Sequence, residues 1–167
     1  MAVHAATEKD MFLRTLERES QTTLKILKAF PEAKADFKPH ERSRSAKDLA
    51  WTFVLEQGLA EGAIKGQVDF SKPMPTAPAG FGDVLAAFER ATRETIAKVS
   101  AASEDDLNRT VAFPVGPGKM GDLRRFDVLW TTLMDQVHHR GQFSVYLRLA
   151  GAKVPSIYGP SADEPWM

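Results

Sequence analysis

Apolar residues recur along most of this chain at intervals of three and four, the spacing that lines one face of an α-helix. Thr7 opens the first such stretch, with Glu8 and Asp10 in the first turn, where acidic groups favour the positive end of the helix dipole. Leu13, Leu16, Leu24, Leu27 and Phe30 carry the stripe, interrupted by the polar run ERESQTT, and Pro31 ends the helix. The segment PEAKADFKPHERSRS then reads as a loop. Ser45, with Asp48 three residues on, forms a variant capping box for a second helix, AKDLAWTFVLEQGLAEGAIKG, which Gly66 is placed to stop. Pro73, Pro75 and Pro78 make 68–80 a linker. Gly82 precedes a third helix that Asp83 is placed to cap, with Val84, Leu85, Phe88, Ile96 and Val99 as its stripe.

The helical pattern breaks over 103–125. Thr110 to Val115 suits a short extended piece, and Gly116, Pro117, Gly118 and Gly121 a turn-rich segment. A long helix follows from about Phe126 to Leu149, with Gly151 where a helix-ending glycine belongs. The tail, AKVPSIYGPSADEPWM, has three prolines and is expected to lie extended on the surface. Four long helices without a repeated strand pattern predict an all-α fold, a four-helix bundle, with residues 1–167 as a single domain. The connections are long enough for crossovers, so a simple up-down order is not required.

Composition narrows the function. The 167 residues are 43% hydrophobic and 26% charged, as in ordinary globular proteins. Lys plus Arg and Asp plus Glu each total 22, which argues against a duplex DNA binder and for no nucleic acid partner, although Lys119, Arg124 and Arg125 form a local basic patch. No cysteine is present, which excludes disulfides, thiolate nucleophiles and Cys-bound metals; any metal site must be built from His, Asp, Glu and water. The polar start MAVHAATEKD lacks a signal-peptide apolar region, and no apolar run approaches a membrane span. A cytoplasmic protein with no membrane partner is expected.

The last helix carries the most informative polar cluster. Asp135 and His139 are four apart and lie one above the other on one face. A carboxylate and an imidazole so placed can clasp one divalent cation; the alternative is a hydrogen-bonded structural histidine. Gln142 and Tyr146 continue the row, and Thr131 lies one turn before it. His138 points roughly 100° away from its neighbour, and Arg140 reads as a surface or interface ion-pair former. On the second helix, Leu49, Thr52, Phe53, Glu56, Leu59 and Ala63 share one side. Glu56, if buried, needs a cation or a donor, because a lone buried carboxylate is costly; if half-exposed beside Gln57, it needs neither. His139, Asp135 and Glu56 are thus the candidate metal ligands, with Thr52, Thr131, His138, Gln142 and Tyr146 as candidate pocket-lining residues.

The segment HHRGQFSVYLRLAGAKVPSIYGPSADEPW, from His138 to Trp166, resembles the closing segment of DinB-like proteins, and RSRSAKDLAW resembles the opening of their second helix. The resemblance implies a bundle with a long crossover, commonly a homodimer. It also implies a divalent metal such as nickel or zinc, held by one histidine from the second helix and an H-x-x-x-H pair on the last. Some related proteins are thiol-dependent transferases or isomerases. Only His139 of that set is kept here: Thr52 and Asp135 stand at the other two positions. Asp in place of His shifts preference toward harder ions such as manganese.

Two functions are therefore expected to compete. One is a divalent-metal-dependent hydrolase or thiol-dependent transferase with a rearranged site and a small-molecule substrate. The alternative is a non-catalytic small-ligand-binding or stress-response bundle that holds no metal. Trp51, Trp130 and Trp166 offer surface for a subunit contact, and the tail, with Tyr158 and Trp166, is placed to serve as a lid.

Overall fold

The computed structural model describes residues 6–167. Its main elements are α1 (Glu8–Lys28), α2 (Ala46–Lys65), α3 (Phe81–Ala101), a short α4 (Glu104–Asn108), β1 (Thr110–Gly116), β2 (Lys119–Arg124) and α5 (Arg125–Leu149). Thr7 caps α1 with a full capping box: its hydroxyl accepts from Asp10 N–H and the Asp10 carboxylate accepts from Thr7 N–H. Ser45 caps α2, but Asp48 accepts from the Ser45 hydroxyl, so the box is closed through side chains. Gly66 ends α2 in the left-handed region, φ 79°, and Arg125 packs over it, donating to Ile64 O at 3.1 Å and placing a cation at the helix C-terminus.

α1 and α2 each pack against both α3 and α5, so α1 and α2 stand at opposite corners, as do α3 and α5. Both 29–45 and 102–124 therefore cross the bundle end. The first is more ordered than a plain loop: it holds a 3-10 turn at Glu32–Lys34 and is tied to the start of α2 by Ala46 N–H to Phe37 O and Lys47 N–H to Ala35 O. The second holds what periodicity does not show. Ser103 caps α4, and β1 pairs antiparallel with β2 from Thr110↔Arg124 to Gly116↔Lys119, with a bulge after Pro114. The turn is confined to Pro117–Gly118, and Gly121, read as part of a turn, lies within β2. Asp83 does not cap α3: the helix starts earlier, at Phe81, whose buried ring anchors the first turn, with Gly80 as its cap.

The core has two apolar layers. One gathers Ile26, Leu27, Phe30, Phe53, Phe88 and Phe143, the other Phe12, Leu16, Ala60, Val99, Leu129 and Leu133. On every long helix the residues between these layers are polar and buried: Glu19, Ser20 and Thr23 on α1, Glu56 and Gln57 on α2, Thr92 and Thr95 on α3, Gln136 and Arg140 on α5. A polar belt thus girdles the middle of the bundle. Buried polar groups need partners, and where those partners fall decides what each side of the belt does.

Candidate metal centre

On the α2/α5 side of the belt, Glu56 meets His139. The carboxylate Oε1 lies 2.6 Å from His139 Nδ1, and Asp135 Oδ1 lies 3.8 Å from the same nitrogen. One donor atom from each of the three residues falls within 4.8 Å of the others. Phe53 supports the imidazole edge-on at 6.4 Å between ring centres. Glu56 is only 2% exposed, and its Oε2 is buried with no hydrogen-bond partner in the described residues. The half-exposed alternative for Glu56 is overturned: α2 turns this position, together with Gln57, into the belt.

Electrostatics follow from that burial. Desolvation pushes the Glu56 carboxyl up to about 7, with the His139 bond opposing and Asp135 adding to the rise. The bond from Glu56, against the cost of burial, raises His139 as well. At 2.6 Å the two groups are within hydrogen-bond distance, so a proton on either is shared with the other. An oxygen–oxygen–nitrogen donor set carrying two carboxylates matches a divalent cation in charge, and the unpartnered Oε2 is the atom such a cation would satisfy. Asp135, with its side chain 52% exposed, leaves one side of the cluster open.

Two cavities meet at this point. One, of about 540 Å³, runs beneath the 67–80 linker and is lined by Trp51, Thr52, Leu55, Glu56, Asp135 and His139 among others. The other, of about 320 Å³, is lined by Ser43, Arg44, Leu49, His139, Gln142 and Tyr146. Thr52 lies on the wall of the first, and Gln142 and Tyr146 on that of the second. Thr131 and His138 line neither. Each four-residue step advances about 40° around a helix, which carries Thr131 out to solvent, where its hydroxyl donates to Asp127 O. His138 is exposed and bonds Gln142 across one turn of the surface at 2.8 Å.

Arg140 corrects the sequence reading most sharply. It is no surface group: its side chain is 1% exposed, and it donates to Glu19 Oε2 at 2.7 Å and to Glu19 O at 3.0 Å on α1. The Tyr158 hydroxyl, reaching in from the tail, donates to the same Glu19 oxygen at 2.6 Å and accepts from Arg140. The tail is thus fastened to α1 and α5, with Lys25–Glu164 and Arg148–Asp163 pairs beside it, and its residues line neither cavity of the candidate centre. The lid expected of it is not formed. Arg44, which sequence reading passed over, lines both cavities.

A model of the DinB family matches residues 1–166. The chain belongs to the DinB family. It is 26% identical over 163 residues to the uncharacterized protein YrdA of Bacillus subtilis, covering 93% of this chain and 90% of that one. Among solved structures it resembles a DinB-like protein from Bacillus cereus, with TM-score 0.74, 20% identity, and 88% and 95% of the two chains covered. It also resembles YfiT from Bacillus subtilis, described as a probable metal-dependent hydrolase with an unusual four-helix bundle topology, with TM-score 0.69, 10% identity, and 92% and 94% covered. At these identities the likeness establishes the DinB four-helix bundle. No helix among the described residues is long and apolar enough to cross a membrane.

Proposed function

We propose that this DinB protein is a divalent-metal-dependent hydrolase whose ion is held by Glu56, Asp135 and His139. The observation that carries this reading is the buried Glu56 carboxylate: an oxygen without a partner, on a helix face that brings it to an imidazole and a second carboxylate. A divalent ion in such a site supplies Lewis acidity and a bound water of lowered pKa. The chain's own residues supply the rest. Without the ion, Glu56 and His139 share the Oε1–Nδ1 hydrogen bond, and an ion bound by both would release its proton. The exposed Asp135 keeps the groove side open to substrate, and Phe53 and Leu49 close the inner side to water. Two carboxylates with one imidazole make a harder donor set than three histidines and favour ions such as manganese relative to that set. A related protein, YfiT, described as a probable metal-dependent hydrolase, shares the fold.

The 2.6 Å Glu56–His139 bond also favours a second reading, a metal-free bundle in which that bond is structural and the cavities take a small organic ligand. Metal analysis by plasma mass spectrometry on tag-free protein, after loading with nickel, zinc or manganese and desalting, separates the two. We expect about one ion per chain, lost in His139→Ala and Glu56→Gln with helicity retained. No retained ion under any loading overturns the metal reading and leaves the ligand-binding one.

A further inference from the structure

We infer that the substrate is an organic carboxylate with an apolar body, and that Arg44 is the residue that selects it; this rests on the reading of Glu56, Asp135 and His139 as the reacting centre. Arg44 and His139 are the two residues common to both cavities. Arg44 therefore stands beside the candidate centre, at the neck between the two spaces. Its place is fixed from two sides: Nη1 donates to the Thr52 hydroxyl at 2.7 Å, and its carbonyl accepts from the Tyr146 hydroxyl at 3.1 Å.

The guanidinium is nevertheless without an anion. Among the described residues no carboxylate lies within ion-pair distance of it, and its Nε and Nη2 make no hydrogen bond. Asp48, which lines the same cavity, already accepts from the Ser45 hydroxyl. The free Nε–Nη2 edge is the planar fork that takes a carboxylate in two parallel bonds. A single such fork, with no Lys or second Arg in the cavity wall and with two carboxylates to balance the ion of the candidate centre, suits a monoanion better than a phosphate.

Beyond Arg44 the wall turns apolar. Trp51, Leu55, Leu59, Met74 and Pro75 line the larger cavity, and the same five side chains line a neighbouring groove of about 550 Å³. The Trp51 indole is held in position by donating to Pro75 O at 2.7 Å, which fastens the linker over the groove. A ligand anchored at Arg44 thus lays an apolar group along α2 while its head lies beside the metal-ligand cluster.

The test uses three probes of matched shape: phenylbutyrate, phenylbutyramide and phenylbutylamine. Each is titrated calorimetrically into the full chain, metal-free and loaded with zinc or manganese, and metal content is measured on the same samples. We expect phenylbutyrate to bind about tenfold or more tightly than the amide, and the amine weakest. In Arg44→Gln the acid and amide should bind within about twofold of each other; far-UV circular dichroism should be unchanged, since Arg44 is exposed. Equal binding of acid and amide, no binding of any probe, or an acid preference that survives Arg44→Gln overturns the inference. The two readings fail separately: retained metal without charge preference sinks the Arg44 assignment alone. An Arg44-dependent preference in protein that retains no metal sinks the metal reading alone.

Discussion

Glu19→Ala is predicted to be the most damaging single truncation of a charged residue in this bundle. The Glu19–Arg140 pair is 2.7 Å apart, with side chains 4% and 1% exposed, so neither charge has water to fall back on. Removing the carboxylate leaves the guanidinium with Glu19 O, Thr23 and the Tyr158 hydroxyl, all uncharged. Breaking a buried pair from one side costs about 3–5 kcal/mol, a large share of the ~5–15 kcal/mol that holds a typical domain folded. In a chain of this size each kcal/mol lowers Tm by roughly 2–4 °C, so a fall of about 6–20 °C is expected. Differential scanning calorimetry and urea titration measure it. The double variant Glu19→Leu with Arg140→Met supplies the internal control, because replacing both charges by apolar groups of similar size is often neutral or stabilising. A Glu19→Ala loss under about 1 kcal/mol, or a double variant as unstable as the two singles summed, would refute the claim that the charge left behind is what costs.

The same pair sets an acid limit. Burial would raise the Glu19 carboxyl, but its bonds from Tyr158 and Arg140 outweigh this and hold it below the ordinary value of 4.5. A depressed folded-state pKa contributes stability that is full above the unfolded value and lost as pH falls through the folded one. Thermal melts of wild type and Glu19→Gln should therefore differ by a constant gap from neutral pH down to about 5 and converge below it; a gap independent of pH to 3 or so would contradict this. Two glycines of α2 should respond in opposite directions. Gly66→Ala, at φ 79° and with the Arg125 guanidinium where a Cβ would sit, should lose about 1 kcal/mol or more, whereas Gly58→Ala, mid-helix with nothing within 4 Å of a new Cβ, should gain roughly 0.5–1 kcal/mol, both read from urea midpoints.

The four long helices were legible because each carries local evidence: a cap at Thr7 and Ser45, a stop at Gly66, and an apolar repeat that a period of 3.6 residues explains. The hairpin was half legible. Thr110–Val115 has the composition of a strand, but β2, with Gly121 and Asp122 inside it, draws its structure from pairing with β1, which no local window contains. Asp135, His139 and Glu56 were found together because helical spacing puts the first two on one row and burial makes the third conspicuous. Arg140 was misplaced for the complementary reason. Its partner Glu19 is 121 residues away, inside the ERESQTT run that seemed only to interrupt the α1 stripe. The signal was there to use: polar breaks at one depth on all four helices describe a belt, and an acid and a base within it predict each other. Arg44 stayed hidden because loop residues have no period, and only the fold places 43–44 at the neck of two cavities.

His139 and Arg140 are consecutive and about 100° apart around α5, so they serve different neighbours of that helix. Arg140 fastens that helix to α1 and the tail, while His139 looks toward α2. The buried clamp and the candidate metal centre are thereby separated by a single peptide bond. The two positions at which the family resemblance implies further histidines carry little of the architecture: Asp135 is half in solvent, and the Thr52 hydroxyl is satisfied by Asp48 O and Arg44. Such a scaffold can exchange its donor atoms, histidine for threonine here or for aspartate there, without renegotiating how it folds. Diversification of the candidate centre would then be limited by what a new donor set prefers to bind, since the clamp toward α1 keeps the helices in register whatever the side toward α2 becomes.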